Sequence, residues 1–205
     1  MTQEISTYNS TKGFELAQRE AKLLSGSDLT PAAFKNNIGN TMIAMEMANR
    51  MNLNPMIVMQ NIHIIQGNPT WKSKFVIAIL NSCGKFSQLR FKREGEPNTD
   101  NRSCIAFATD LTTGELLEGI ECNIAMAKAE GWYDRKGSKW PSMPEVMLAY
   151  RAATFFGSLH APELMMGMSS DQAPMNHVTE DVNHEELLSR VNSKKTIVIP
   201  VTEAS

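Results

Sequence analysis

SKWPSMPEVMLAYRAATFFGSLHAPELMMG, residues 138–167, is the stretch on which the reading of this chain turns. A loop carrying Lys139, Trp140, Pro141 and Pro144 runs directly into an apolar segment. Proline suits the first turn of a helix, so the spacing predicts a core helix from Pro144 to about His160. Arg151 stands inside it among alanines and aromatics, and a buried cation needs a partner. Two readings stand: an acid such as Glu145 or Glu163, or a phosphate arriving from outside.

Working outward, Phe14, Leu16, Ala17, Ala21 and Leu24 recur at helical spacing, closed by Ser25-Gly26-Ser27. Thr30 then reads as an N-cap with Pro31 at the first helical position. Phe34, Ile38, Met42, Met45 and Ala48 line one face of that helix until Asn54-Pro55 stops it. The middle of the chain is β-rich. A strand is expected at Asn61–Gln66, with a turn at Gly67-Asn68-Pro69, and KFVIAILNS reads as a helix ended by Gly84. Strands follow at 87–94, 103–110 and 115–124, the last two forming a hairpin across Leu111–Gly114. Ile105 and Phe107 are expected to face the core, with Arg90 and Lys92 facing outwards. AMAKAEGW reads as a short helix and YDRKGSK as a basic loop. Antiparallel strands followed by helices make an α+β core. After Gly167 aromatics thin out and small polar residues dominate, which reads as a flexible tail. Within it Glu185–Leu188 could form a transient helix and Ile197–Ile199 a docking peptide.

Of the 205 residues, 42% are hydrophobic and 20% charged, the composition of a globular protein with a substantial core. Cys83, Cys104 and Cys122 are an odd, unpaired set that suits a reducing compartment. MTQEISTYNS has no signal-peptide character, and no apolar run approaches a membrane span, so a cytoplasmic location is expected. Gly84-Lys85 is followed by Phe86 and lacks a phosphate-cradling loop, and no dinucleotide fingerprint occurs. His63, His160, His177 and His184 never approach metal-site spacing with the cysteines. Glu94, Glu96, Asp100 and Asp110 fall in turns and a hairpin rather than in a two-metal cluster. No catalytic residue, metal or ATP cofactor is therefore expected.

Charge is segregated although the total is only −2. From Lys72 to Arg93 the cations are Lys72, Lys74, Lys85, Arg90, Lys92 and Arg93, with no acid among them. A second group, Lys128, Arg135, Lys136, Lys139 and Arg151, is interleaved with Trp132, Tyr133 and Trp140. Cations beside aromatics suit a phosphate backbone passing stacking platforms. The same residues also suit ordinary solvated loops edged by packed tryptophans.

The pattern W-x-x-x-P-x-x-M-L-x-x-R-A, formed by Trp140, Pro144, Met147, Leu148, Arg151 and Ala152, resembles the RecT/Red-beta family of phage-type single-strand DNA annealing proteins. The likeness extends to NPMIVMQNIHIIQGNPTW (54–71), NSCGKFSQLRF (81–91), AMAKAEGW (125–132) and HAPELMMGMSSDQ (160–172), in order, and covers about Leu29 to Asp171. It implies a compact α+β core, distantly Rad52-like, that assembles into rings or helical filaments. It further implies homologous recombination in a bacterial host without ATP, with magnesium modulating DNA binding. Such proteins hold single-stranded DNA in a basic groove and clamp the annealed duplex intermediate formed with a complementary strand. Residues 1–28 would be a helical arm reaching between subunits, 29–173 the annealing core and 174–205 the tail. On this reading DNA is contacted by Trp71, Lys72, Lys74, Arg90, Lys92, Arg93, Lys128, Arg135, Lys136, Lys139 and Arg151. Trp140 and Pro144 anchor the loop. Glu145 and Ser158 stand where Red-beta has basic residues, which shifts the groove onto the other cations. The family's larger C-terminal region engages a phage exonuclease and the host single-strand binding protein, and the shorter tail here leaves room only for a tethered peptide motif. A strand-protecting protein without annealing activity, or a nuclease with an unrecognised site, are the competing readings.

Overall fold

The computed structural model describes residues 10–65 and 67–168, all within one unit, Met1–Ala173. The tail expected at 174–205, with its helix and docking peptide, lies outside the described residues.

Helix α1, Thr11–Ser25, starts at Ser10, whose hydroxyl accepts from the Gly13 amide at 3.0 Å. Helix α2, Ile38–Arg50, lies against α1, where Ala17 and Ala21 are fully buried. The start of α2 corrects the sequence expectation. The Thr30 hydroxyl donates back to Leu24 O at 2.5 Å, so it closes α1 instead of opening α2. Asn36 turns the chain at φ +55°, and Asn37 caps α2 by accepting from the Asn40 amide. The buried face is accordingly Thr41, Ala44, Met45, Met47 and Ala48, while Ile38 is exposed. Asn54-Pro55 likewise starts an element. Asn52 at φ +53° ends α2, and Asn54 caps helix α3, Pro55–Asn61, with proline in its first turn.

Strands β1, Ile62–Ile65, and β2, Asn68–Trp71, form a separate two-stranded hairpin turned at Gly67 (φ +83°). Helix α4, Ser73–Ser82, follows at once. The larger sheet is antiparallel: β3, Arg90–Glu94, pairs with the central β4, Ser103–Thr109, which pairs in turn with β5, Leu116–Glu118, and β6, Cys122–Asn123. Helix α5, Ile124–Ala129, leads through a loop to α6, Pro144–His160, and a last turn α7, Pro162–Met165. Helix α6 packs on one face of β4 and also contacts α4.

The expectation for β4 is inverted. Cys104, Ala106 and Ala108 point to the core, whereas Ile105 and Phe107 share the outer face with their cross-strand partners Lys92 and Arg90. The physical reason is the depth at which α6 lies: its own buried face carries Ala152, Ala153 and Gly157, and small side chains opposite let the backbones approach. Gly119 marks the closest approach, because a Cβ there would meet the Phe156 backbone and Cβ at 3.2 Å. Around this contact Phe86 and Phe156 meet edge to face at 5.3 Å. Trp71 is wholly buried, its indole N–H donating to Met165 O at 3.1 Å.

Gly119→Ala should cost about 1–3 kcal/mol through forced separation of α6 from the sheet, read as a lower urea midpoint with an unchanged slope; an unshifted midpoint would show that the helix gives way freely. Burial pushes the Cys104 thiol up and the Cys122 thiol up to about 12. A thiol reagent at pH 8 should therefore modify half-buried Cys83 well before either strand cysteine. Equal labelling of all three in the folded protein would contradict this packing.

Candidate nucleic-acid interface

Alternation along the β1–β2 hairpin sends its side chains to two sides. Ile62 and Ile64, opposite Trp71 and Pro69, face α2, where with Phe34, Ala44 and Met47 they border an apolar hollow. His63 and Ile65, opposite Thr70 and Asn68, face a second cleft of about 330 Å³. The far wall of that cleft is the loop between α5 and α6 and the first turn of α6: Trp132, Arg135, Gly137, Ser138, Lys139, Trp140 and Met147.

The loop is held by its own backbone. Trp132 and Tyr133 amides both donate to Ala127 O, at 2.9 and 3.1 Å, which turns the chain out of α5. The Ser138 hydroxyl donates to Trp132 O at 2.7 Å and its amide to Arg135 O at 2.8 Å. The Met143 amide donates to Lys139 O at 2.8 Å, leading into Pro144 at the first position of α6. Beneath the loop, Trp140 is 2% exposed and stacks on Trp132 at 6.0 Å and 30°. The Arg151 guanidinium lies 3.6 Å from the Trp132 ring centroid and 5.5 Å from that of Phe155. Trp140 is thus packed beneath the loop, and Pro144 stands at the first position of α6.

Among the described residues none that lines this cleft is acidic, although the chain carries a net negative charge. Arg135 and Lys139 are exposed in its wall and Lys136 is exposed between them. Among the described residues these three make no ion pair, so their charge is available to a ligand.

Other expected contacts lie elsewhere. Trp71 has no exposed surface, and Arg151 is 1% exposed beneath the loop. Both are corrected from strand contacts to core residues, because an indole N–H satisfied by Met165 and a guanidinium stacked on Trp132 leave no face to solvent. The two carboxylates weighed as partners for Arg151 are engaged with other cations: Glu163 with Lys85 at 3.1 Å, and Glu145 with Arg93 and Arg102. Arg90 and Lys92 are on the outer sheet face, and Lys92 is paired with Glu94 at 2.6 Å, which raises its pKa and lowers that of Glu94. Arg93 points the other way, towards α6. Lys128 is held by Asp100 at 2.6 Å, which raises its pKa, and sits 5.3 Å from the Tyr133 ring. Lys72 donates to Gln60 O at 2.6 Å, and Lys74 is exposed in the first turn of α4. The basic run from Lys72 to Arg93 therefore does not gather on one surface.

The residues that sequence reasoning left out of the strand contacts are Trp132, His63, Ile65 and Met147. Trp132 was legible as an aromatic among the loop cations. His63 and Ile65 come from a hairpin remote in sequence, and only the alternation with Ile62 and Ile64 signals that they share a face.

No helix among the described residues is long and apolar enough to cross a membrane. Among the same residues no group of histidine, cysteine or carboxylate side chains is arranged to hold a metal ion. No protein-family model matches the chain, and neither a curated protein nor a solved structure matches it significantly.

Because the guanidinium is buried against an indole, Arg151→Ala should lower stability by about 2 kcal/mol or more, seen in urea unfolding. An unchanged midpoint would place Arg151 outside the packed structure and restore it as a candidate surface contact.

Proposed function

We propose that this chain is an ATP-independent single-strand annealing protein of homologous recombination, binding single-stranded DNA in the cleft between the β1–β2 hairpin and the α5–α6 loop. The observation that carries the reading is the lining of that cleft: Arg135, Lys139 and His63 beside half-buried Trp132, Ile65 and Met147, with no acid. Phosphates require unpaired cations, and bases require an apolar edge beside them, which the half-buried side chains of Trp132, Ile65 and Met147 supply. The resemblance of residues 138–167 to the RecT/Red-beta pattern supports the same reading, since Ser138, Lys139, Trp140 and Met147 of that stretch line the cleft.

Annealing requires no bond to be made or broken in either strand. It requires the backbone charge to be neutralised, so that a second strand can approach, and the bases to remain accessible. A cleft of this size holds a short piece of strand, so the proposal includes side-by-side copies that join their clefts into one track, as a ring or helical filament. Helix α1 supports such assembly: Leu16 and Leu23, seven residues apart on its outer side, are 53% and 78% exposed. A cooperating exonuclease or host single-strand binding protein belongs to the same proposal, without a surface here that singles it out.

The deciding experiment mixes two complementary labelled oligonucleotides with stoichiometric protein and no nucleotide. Duplex formation faster than in buffer is expected. Binding without acceleration would make it a protecting protein, shortened strands in magnesium would make it a nuclease, and no binding would overturn the reading. Affinity should fall steeply with salt, and Arg135→Ala and Lys139→Ala should each flatten the log–log slope by about 0.7 while leaving unfolding unchanged.

A further inference from the structure

At the start of α6, Glu145 meets two guanidiniums, Arg93 of β3 and Arg102 just before β4. Arg102 grips Glu145 with two parallel bonds, Nε to Oε1 at 2.7 Å and Nη2 to Oε2 at 3.0 Å. Arg93 Nε reaches Oε2 at 3.0 Å from strand β3. Arg102 is fixed independently of the carboxylate, because its Nη1 donates to Gly95 O at 2.9 Å. The bend that presents this carbonyl is open only to glycine: Gly95 has φ +75°, and a Cβ there would strike the Asn101 carbonyl. One guanidinium is thus held in place, and a second reaches the same anionic group.

We propose that Arg93 and Arg102 form a phosphate site which Glu145 fills from within, and that a phosphate of the bound strand takes the carboxylate's place. The inference rests on the single-strand binding proposed above. A carboxylate and a phosphate present the same pair of oxygens to a guanidinium fork, so one can replace the other without rebuilding the site. Two cations face one carboxylate, and the first turn of a seventeen-residue helix adds its own preference for an anion. The neighbouring acids do not fill the remainder, since Asp100 is bound to Lys128 and Glu94 to Lys92, and Glu96 acts on Arg102 only at longer range. Hydrogen bonding from Arg102, with the Arg93 charge behind it, holds the Glu145 carboxyl below its usual range, so it is ionised at neutral pH.

The site is reachable. The Arg93 and Glu145 side chains are 38% and 41% exposed, while Arg102 behind them is 16% exposed. The outer pair, Arg93 with Glu145, is partly exposed and therefore weak and exchangeable. The tethered carboxylate is nevertheless always present at high local concentration, so a free phosphate or mononucleotide competes poorly against it. A strand already held by Arg135 and Lys139 brings its further phosphates to the same molecule at raised local concentration. Glu145 therefore acts as a specificity-determining residue that favours long polyanions over small ones.

The test measures fluorescence anisotropy of a labelled single-stranded oligonucleotide over a salt series. Glu145→Gln should bind at least about threefold tighter than the native chain, with a log–log slope steeper by about 0.7 for the phosphate no longer opposed. The gain should vanish in Glu145→Gln combined with Arg93→Gln. A folded Glu145→Gln protein that binds like the native chain, or a gain that survives in the double variant, would overturn the site. If Glu145→Gln does not fold, Arg93→Gln alone decides: a flatter slope supports the site and an unchanged slope removes it. Failure of the native chain to bind the oligonucleotide would instead sink the parent reading, whereas native binding and annealing with an inert Glu145 would sink this inference alone.

Discussion

The buried contact between the Arg151 guanidinium and the Trp132 indole is what joins the cleft to the core. Arginine does not shed its proton under any condition the fold meets, so burying it obliges the surroundings to compensate a full charge. The compensation is partly aromatic, with the Trp132 ring at 3.6 Å and the Phe155 ring at 5.5 Å. Trp140, stacked on Trp132, closes the arrangement and is itself sealed from solvent. Because Trp132 opens the α5–α6 loop and Trp140 nearly ends it, their stack ties its two ends together, and Arg151 ties Trp132 to α6. The exposed span between them, Asp134 to Lys139, is then displayed at a set position rather than left to sample many. A surface loop of this composition would otherwise lose much of any binding advantage to its own ordering.

A second constraint is the closeness of α6 to the sheet. Alanine and glycine on the helix meet cysteine and alanine on β4, and Gly119 allows the strand edge to pass beneath Phe156. That closeness explains which parts of the fold could be read in advance. The bounds of α6 were legible because Pro144 suits a first turn and the apolar run ends near His160, both local properties. Helix α4 and the β4–β5 hairpin were legible for the same reason. The facing of β4 was not. Judged alone, Ile105 and Phe107 look like core residues and Cys104, Ala106 and Ala108 look indifferent, and only the depth of the partner helix reverses the choice. Residues 31–61 show another limit. Thr30-Pro31 and Asn54-Pro55 are both good helix starts, and what separates them is a hydroxyl bonded back to Leu24 in one case and a side chain capping Met56 in the other.

The candidate site divides along similar lines. Arg135, Lys139, Trp132 and Trp140 are neighbours in sequence and remain neighbours in space, so composition alone brought them together. Charge pairing between distant segments cannot be seen that way. Glu145 and Arg102 are far apart in the chain yet form a two-point ion pair, and Lys128 and Asp100 meet across the same edge. A run of cations without intervening acids, such as Lys72 to Arg93, suggests a basic surface only until the sheet sends Arg90 and Lys92 one way and Arg93 the other.

Sorting the cations by partner rather than by position resolves the conflict between a negative total and a cationic cleft. At physiological salt the screening length is about 8 Å, so acids on the far side of the molecule contribute little to the field inside the cleft. What counts is the local balance, and there the cations fall into two kinds. Arg135, Lys136 and Lys139 carry no internal partner among the described residues and meet a phosphate at no cost beyond desolvation. Arg93, Arg102 and Lys128 already hold carboxylates, so each can serve a ligand only by exchanging one anion for another. An exchange of that kind is nearly neutral for a single small anion and becomes favourable when the incoming group is tethered to others already bound. A chain that is close to neutral overall can in this way still favour a polyanion over a small anion where part of its cations are held by its own acids.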